Sequence, residues 1–136
     1  MLYNSVQQII RDENSVFQMA ALTFIGDRSD QQDSLGYIFK ENEGLVVVSD
    51  GMGGHYGGRA ASQTAVRVFL ERYLKSGFVT NPAYSMIDAA KSADMIISGL
   101  KNEEGVPMGA GSTLVAILID QERLMWCSVG DSRAYL

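Results

Sequence analysis

Residues 46–62 read VVVSDGMGGHYGGRAAS and join a β-branched run to a cluster of five glycines. The run at 45–49 is almost continuously apolar, which predicts a strand that is buried on both faces and delivers Asp50 at its end. The apolar residues that follow recur at helical spacing and predict a helix over residues 58–75 that stops at Gly77. The stretch therefore predicts a strand, a glycine-rich turn and a helix, with an aspartate at the turn.

The flanking segments predict further strands and a second helix. The polar segment KENEG at 40–44 is typical of a hairpin connection. Pro82 precedes Ser85 and Asp88 at capping-box spacing, and the apolar stripe over 86–100 predicts a helix packed antiparallel to the first. The predicted strands cover residues 19–25, 35–39, 45–49, 112–119, 123–129 and 133–136.

Length and composition limit the class of protein. The chain has 136 residues, of which 46% are hydrophobic and 20% charged, and these values predict one globular domain. A net charge of -5 argues against a nucleic-acid partner, and the apolar runs are too short to span a membrane. The N-terminus lacks a signal-peptide pattern, so we expect a cytoplasmic protein with no membrane partner. The single cysteine, Cys127, excludes an intrachain disulfide, and with Trp126 it is expected in a core or half-core strand.

The residues around the glycine cluster narrow the chemistry. His55 is the single histidine and no Gly-x-Ser-x-Gly segment is present, which argues against a serine hydrolase. Arg59 stands where a phosphate-binding P-loop has lysine, and Tyr56 stands where the dinucleotide fingerprint has its third glycine, so nucleotide binding is a distant alternative. A carboxylate at the end of a buried strand, Asp50, instead favours a hard cation such as Mg²⁺ or Mn²⁺.

Two further segments accompany the glycine-rich stretch in a defined order. They are GDRSDQQD at 26–33, and GST at 111–113 followed by VGDSR at 129–133. Together with VVVSDGMGGHYGGRAAS, these segments closely resemble the motifs of the metal-dependent serine/threonine protein phosphatases of the type 2C family, in the bacterial form. The resemblance extends over residues 23–136.

The resemblance implies a role for each matching residue. Asp50 matches the aspartate that bridges two metal ions, and Gly51 matches the residue whose carbonyl completes one of them. Asp33 matches an aspartate beside the metal centre that helps to hold its waters. Arg28 matches the arginine that holds the substrate phosphate, and Asp131 matches an aspartate of a third, weaker metal site. The implied catalytic residues are Asp50 and Arg28, and the implied metal-binding residues are Asp50, Gly51, Asp33 and Asp131.

Three positions near these motifs receive no metal-binding role. Gln32 occupies a position where family members carry Glu or Gln, and an amide oxygen binds a cation more weakly than a carboxylate does. Gln31 departs from the usual asparagine of the family pattern. His55 lies near the site, but bacterial relatives lack the histidine that directly follows Asp-Gly in eukaryotic forms, so no catalytic role is assigned to it.

The family resemblance also implies a mechanism, a fold and partners. Two Mg²⁺ or Mn²⁺ ions, with a third in some bacterial relatives, activate a water that hydrolyses phosphoserine or phosphothreonine in proteins. The expected partners are a phosphorylated protein substrate and an opposing serine/threonine kinase. The implied fold is α+β, the first half of an α-β-β-α sandwich of two antiparallel sheets flanked by helix pairs.

Length separates this chain from the family pattern, because complete catalytic domains carry a second half with two more metal-binding aspartates. We expect residues 1–17 to be a peripheral extension, as a short helix or an extended segment, and 18–136 to be the N-terminal part of a type 2C catalytic domain. The resemblance assigns the hydrolysis to the complete domain and does not establish it for the 136-residue chain alone. The alternative function is a non-catalytic phosphoprotein-binding or regulatory module. The expected terminal strand at 133–136 and the uncovered sheet face predict self-association of the chain.

Overall fold

The computed structural model describes the backbone of residues 2–3, 7–13, 17–78 and 80–136, and the side chains of 17–78 and 80–136 except that of residue 55. The strands are β1 (Leu2–Tyr3), β2 (Gln7–Glu13), β3 (Gln18–Phe24), β4 (Asp33–Phe39), β5 (Glu43–Met52), β6 (Gly111–Ser112), β7 (Leu114–Asp120) and β8 (Leu124–Val129), and the helices are α1 (Gly54–Ser76) and α2 (Pro82–Ser98). The main sheet has the strand order β1-β4-β5-β7-β8, with β6 paired to β5, and β2 and β3 form a separate two-stranded sheet. All the pairings are antiparallel, so the predicted α+β class with two antiparallel sheets and a helix pair is confirmed.

The two helices cover one face of the main sheet. Alternate residues of β5 and β7 point toward them, because successive side chains of a strand lie on opposite faces. Leu45 and Val47 of β5 and Phe69 and Tyr73 of α1 are fully buried in this core. The predicted apolar stripe of α2 is also confirmed, since its buried residues are Met86, Ala89, Ala93 and Ile97.

The opposite face of the main sheet is covered only in part. The β2–β3 hairpin packs over β4, where Leu35 and Tyr37 form a small core with Met19 and Ala21 of β3. Val48 of β5 is 45% exposed, so the prediction that this strand is buried on both faces is wrong at that position. The small core under the hairpin extends as far as Val46 of β5, and Val48 lies beyond it and is exposed.

The same open face explains a second difference from the prediction. Trp126 of β8 is 61% exposed, because it lies in the same cross-strand row as Ile117 and Val46 on the uncovered side of the sheet. Cys127, its neighbour, points to the other side and packs partly buried against the main core. The core or half-core prediction therefore holds for Cys127 and is wrong for Trp126.

Helix α1 begins four residues before the predicted start. Its N-cap is Gly53, with φ of 133°, a backbone conformation that only glycine adopts readily, and the helix begins with Gly54, Gly57 and Gly58 of the cluster. The sequence pattern missed this turn because glycines carry no apolar periodicity. The predicted stop is confirmed, since Gly77 is in the left-handed conformation and its N–H donates to the carbonyl of Tyr73 at 2.7 Å.

Helix α2 begins at Pro82, three residues before the capping position that the sequence spacing indicated. The side-chain oxygen of Asn81 accepts a hydrogen bond from the backbone N–H of Tyr84 at 3.1 Å, so Asn81 and not Ser85 caps the helix. Helices α1 and α2 are joined across their outer surfaces by an ion pair between Arg72 and Asp88 at 3.2 Å. Within the described residues, neither helix is long and apolar enough to cross a membrane.

The two ends of the chain also differ from the sequence predictions. Residues 7–13, expected as part of a peripheral helix or extension, form β2 and pair with β3 along their whole length. Residues 133–136 form no strand, because no neighbouring strand of the described chain lies beside them to supply hydrogen-bond partners. The terminal-strand reason for self-association is therefore wrong, while the open sheet face remains.

Candidate functional site

The register between β4 and β5 places Asp33 and Asp50 directly opposite each other. Both side chains lie on the sheet face away from the helices, at the end of the hairpin where the strands separate. Desolvation raises the pKa of the Asp33 carboxyl, the charge of Asp50 and a side-chain hydrogen bond to it raise that pKa further, and the charge of Arg28 opposes the shift. Two carboxyls and one guanidinium therefore interact at this end of the sheet.

The backbone of Asp50 is held on both sides by the segment that joins β6 to β7. Its N–H donates to the Thr113 hydroxyl at 3.0 Å, and its carbonyl accepts from the Thr113 N–H at 2.8 Å. The Ser112 hydroxyl donates a further bond to the same carbonyl at 2.8 Å. Asp50 thus stands at a fixed point of the sheet, although its side chain is exposed.

The glycine cluster is explained by a close crossing of two backbones. A Cβ atom at Gly51 would overlap the carbonyl of Gly58, and a Cβ at Gly58 would overlap the side-chain oxygen of Gln32 and lie 2.9 Å from the carbonyl oxygen of Gly51. Only glycine leaves room for β5 and the first turn of α1 to approach this closely. The close approach places the start of α1 directly beside the end of the strand that carries Asp50.

Gln32 joins this crossing as a hydrogen-bond donor. Its side-chain amide donates to the carbonyl of Gly54 at 3.0 Å, and its backbone carbonyl accepts from the N–H of Gly51 at 3.1 Å. Gln31, which stands where the family pattern has asparagine, is buried and donates to the hydroxyl of Thr23 at 2.6 Å. Both glutamines therefore fasten the 26–33 segment to its neighbours.

Arg28 lies on the exposed segment between β3 and β4. Together with Asp33, Asp50 and Asp30 it lines a cavity of about 180 Å³ at the end of the sheet. The backbone N–H of Arg28 donates to the carbonyl of Ile25 at 3.4 Å. No side-chain ion pair of Arg28 occurs among the described residues. The guanidinium is thus available to an anion that enters the cavity.

Asp131 lies farther from this cavity than the other candidates. Its side chain is exposed and does not line the cavity, but the adjacent Ser132 is tied to the site by a hydroxyl–hydroxyl hydrogen bond to Thr113 of 2.6 Å. Ser132 also lines a larger cleft of about 600 Å³ that contains Asp33 and Asp50. The structure therefore brings Arg28, Asp33 and Asp50 together and leaves Asp131 at the edge of the group.

Sequence reasoning missed several residues that build the site. Thr113 was recognised only as part of a motif, although it bonds to both Asp50 and Ser132. Arg59 was considered only as a departure from a P-loop, yet it forms an ion pair with Asp30. A single sequence gives no indication of these contacts, because the partners are 19 or more residues apart in the chain.

The donor atoms at the site suit a hard cation in part. The two carboxylates and the nearby backbone carbonyls offer oxygen ligands, which Mg²⁺ and Mn²⁺ prefer, and Mg²⁺ usually retains several waters as ligands. No group of three or more His, Cys, Asp or Glu placed to hold a metal occurs in the part of the chain that the structure describes. Burial raises the pKa of the Cys127 thiol, which disfavours the reactive thiolate form of this cysteine.

Comparison with known proteins gives a consistent result. A family model described as Protein phosphatase 2C matches residues 25–136. A serine/threonine phosphatase stp of Listeria monocytogenes is 34% identical over 111 residues, which cover 71% of this chain and 40% of that protein. The structure of the S. agalactiae serine/threonine phosphatase shares the fold with a TM-score of 0.69 at 22% identity and matches 98% of this chain.

A second solved structure contains metal ions. The catalytic domain of the serine threonine protein phosphatase PstP, in complex with two manganese ions, has a TM-score of 0.63 and 25% identity, and the match covers 97% of this chain and 49% of that chain. The S. agalactiae structure is likewise matched over 50% of its length. The present chain thus spans about 40% of its curated relative and about half of the solved structures.

Proposed function

The chain belongs to the protein phosphatase 2C family, and from this premise we propose that it acts in the metal-dependent hydrolysis of phosphoserine and phosphothreonine in proteins. The observation that carries the proposal is the pairing of Asp33 and Asp50 across two adjacent strands, with Arg28 on the same cavity. Metal-assisted phosphoryl chemistry requires acidic side chains that hold a metal ion, next to a positively charged side chain that binds the phosphate. The two aspartates and Arg28 supply these groups.

In this proposal Asp50, Asp33 and the carbonyl of Gly51 hold Mg²⁺ or Mn²⁺, and Asp131 contributes to a further, weaker site. The bound ions supply Lewis acidity and lower the pKa of water, so that hydroxide is available near neutral pH. The two manganese ions of the PstP structure support the proposal of two ions. The Thr113 hydrogen bonds fix the backbone of Asp50, so the carboxylate needs little rearrangement when a cation binds.

Arg28 binds the phosphate of the substrate in this proposal. A guanidinium presents a planar set of N–H donors that matches two phosphate oxygens, and it stays charged at any physiological pH. Its position on the same cavity as the two carboxylates would place the phosphate beside the cation that they hold. The substrate is accordingly a phosphorylated protein, and the chain would oppose a serine/threonine kinase.

A second candidate function is binding of phosphoproteins without hydrolysis. One observation favours it: no group of three or more side chains placed to hold a metal occurs among the described residues, and Asp30, the third acidic residue on the cavity, is paired with Arg59. A site of this composition would hold a cation weakly and could still bind phosphate through Arg28. The two candidates share a ligand and differ in whether it is turned over.

The experiment measures hydrolysis of p-nitrophenyl phosphate and of a phosphothreonine peptide with Mn²⁺, with Mg²⁺ and with excess chelator. In the complete catalytic domain we expect turnover that requires the metal, and loss of at least about 100-fold in the Asp50→Asn variant, because a carboxylate charge that would hold the metal is removed. Asp94→Asn, the same substitution on the exposed surface of α2, is the matched control and should retain activity. Full activity in chelator would refute the phosphatase proposal. Metal-dependent peptide binding without turnover would support the binding module.

A further inference from the structure

The cavity is lined by more negative than positive charges. Three carboxylates line it, those of Asp30, Asp33 and Asp50, against a single lining cation, Arg28. Asp33 and Asp50 are assigned to a cation in the proposed function. Asp30 has no such role, and a third negative charge on this wall opposes the entry of a phosphate.

Asp30 is held by a cation from outside the cavity wall. The guanidinium of Arg59, in the first turns of α1, forms an ion pair with one carboxylate oxygen of Asp30. The Nε–H of the same side chain donates to the backbone carbonyl of Gln31 at 3.3 Å. Arg59 thus contacts the segment between Arg28 and Asp33 at two consecutive residues.

The two side chains of the ion pair differ in exposure, and this difference determines the effect of removing Arg59. The Asp30 side chain is 15% exposed, whereas that of Arg59 is 44% exposed. The second carboxylate oxygen of Asp30 is buried, and no hydrogen-bond donor in the described part of the chain reaches it. A largely buried carboxylate with one cationic partner strongly favours another cation when that partner is removed.

We propose that Arg59 is a positioning residue that neutralises Asp30 and so keeps the Arg28 guanidinium free to bind a phosphate dianion. Arg28 lies two residues from Asp30 on the same cavity. Without Arg59, the Asp30 carboxylate both repels the phosphate and attracts Arg28. The identity of the anion rests on the proposed function, whereas the effect of Asp30 on Arg28 does not.

A purely structural role for Arg59 makes a different prediction. If the ion pair only anchors the 26–33 segment to α1, removal of either partner has the same effect, and removal of both is no better than removal of one. If Arg59 acts by neutralising Asp30, removal of Asp30 alone is harmless, and it rescues the loss of Arg59. The double variant therefore separates the two roles.

The experiment uses inorganic phosphate, which is not turned over, titrated calorimetrically into the full chain with saturating Mg²⁺. We expect Arg59→Ala to weaken phosphate binding about five-fold, as for loss of a partly exposed charge interaction. Asp30→Asn should bind phosphate at least as tightly as the wild type, and Arg59→Ala/Asp30→Asn should return to within about two-fold of it. Phosphothreonine-peptide kinetics on the same variants should show the change in KM with kcat nearly constant.

Controls keep the roles distinguishable. Arg67→Ala removes the same charge from the exposed surface of α1, where Arg67 pairs with Glu71, and should leave phosphate affinity unchanged. Arg59→Lys retains the charge and should stay close to the wild type. A double variant as weak as Arg59→Ala, or weakened binding in Asp30→Asn, would overturn the proposal. If the variants show the expected phosphate affinities but the wild type shows no turnover, the phosphatase activity is refuted and the role of Arg59 stands.

Discussion

Asp50 and Arg28 line the same cavity, but the chain holds them in different ways. The backbone of Asp50 is bonded on both sides by Thr113 and once more by Ser112, inside the main sheet. Arg28 lies on an exposed connection with one long backbone bond, to Ile25. The segment around it is fastened by side chains of its neighbours, above all the Asp30–Arg59 ion pair.

The difference suits the two kinds of binding that we propose for these residues. Groups fixed by a sheet keep their geometry without a ligand, which suits carboxylates that must meet a cation at a defined distance. A residue on a surface segment can follow a substrate of variable shape. Changes near Asp50 should therefore alter stability and metal affinity together, whereas changes near Arg28 should alter substrate binding alone.

The largest effect that would test this comparison is expected from Thr113→Val. Valine has nearly the same shape, but it removes the hydroxyl that accepts the N–H of Asp50 and binds Ser132. We expect a loss of about 1–3 kcal/mol in the free energy of unfolding, measured in urea, because polar groups lose their partners. Mn²⁺ affinity should fall with it. Thr113→Ser keeps the hydroxyl and should retain Mn²⁺ affinity; equal losses in both variants would contradict the role of the hydrogen bonds.

A smaller effect, confined to the substrate, is expected from Arg28→Ala. The KM for a phosphothreonine peptide should rise about ten-fold, because a charge-assisted phosphate contact is lost. The free energy of unfolding should change by no more than about 0.5 kcal/mol, as is usual for an exposed position. Arg123→Ala, at the far β7–β8 turn, is the matched control. A fall in Mn²⁺ affinity equal to the rise in KM would show that the two regions are not independent.

The smallest effect is a pH dependence that originates at Asp33. Its pKa is raised in the folded chain, so the folded state holds this proton more tightly than the unfolded state. The stabilising contribution is present at low pH and is lost as the pH rises through the folded pKa. In chelator, Asp33→Asn should therefore be more stable than the wild type at pH 7, and the difference should shrink toward pH 3. The difference in stability at pH 7 should be smaller in an Asp50→Asn background, because the charge of Asp50 contributes to the raised pKa of Asp33. A difference that grows as the pH falls would contradict the raised pKa.

Much of the fold followed from local patterns in the sequence. The β4–β5 hairpin and the apolar stripes of both helices were predictable because burial imposes periods of two and about 3.6 residues. The end of α1 at Gly77 was predictable because glycine readily adopts the left-handed conformation that ends a helix. The start of α1 was not, because Gly54, Gly57 and Gly58 leave no periodic apolar signal, and Gly58 is required by the close backbone crossing with Gly51.

The remaining differences depend on partners distant in the sequence. The apolar residues of 133–136 have strand propensity, but a strand needs a neighbour, and the described chain offers none there. Val48 and Trp126 are apolar and exposed because the β2–β3 hairpin covers β4 and not the rest of the sheet. For the site, motif resemblance identified Asp33 and Asp50, whereas the contacts of Arg59 and Thr113 required the fold.

The central claim is that Asp33 and Asp50, from adjacent strands, share one cation site. The most direct test is paramagnetic broadening of backbone amide NMR signals during titration with Mn²⁺. The account predicts that the signals of residues 33 and 50–51 are lost first, and that the loss disappears in an Asp33→Asn/Asp50→Asn variant. Broadening centred elsewhere in the chain, or unchanged broadening in the double variant, would contradict it.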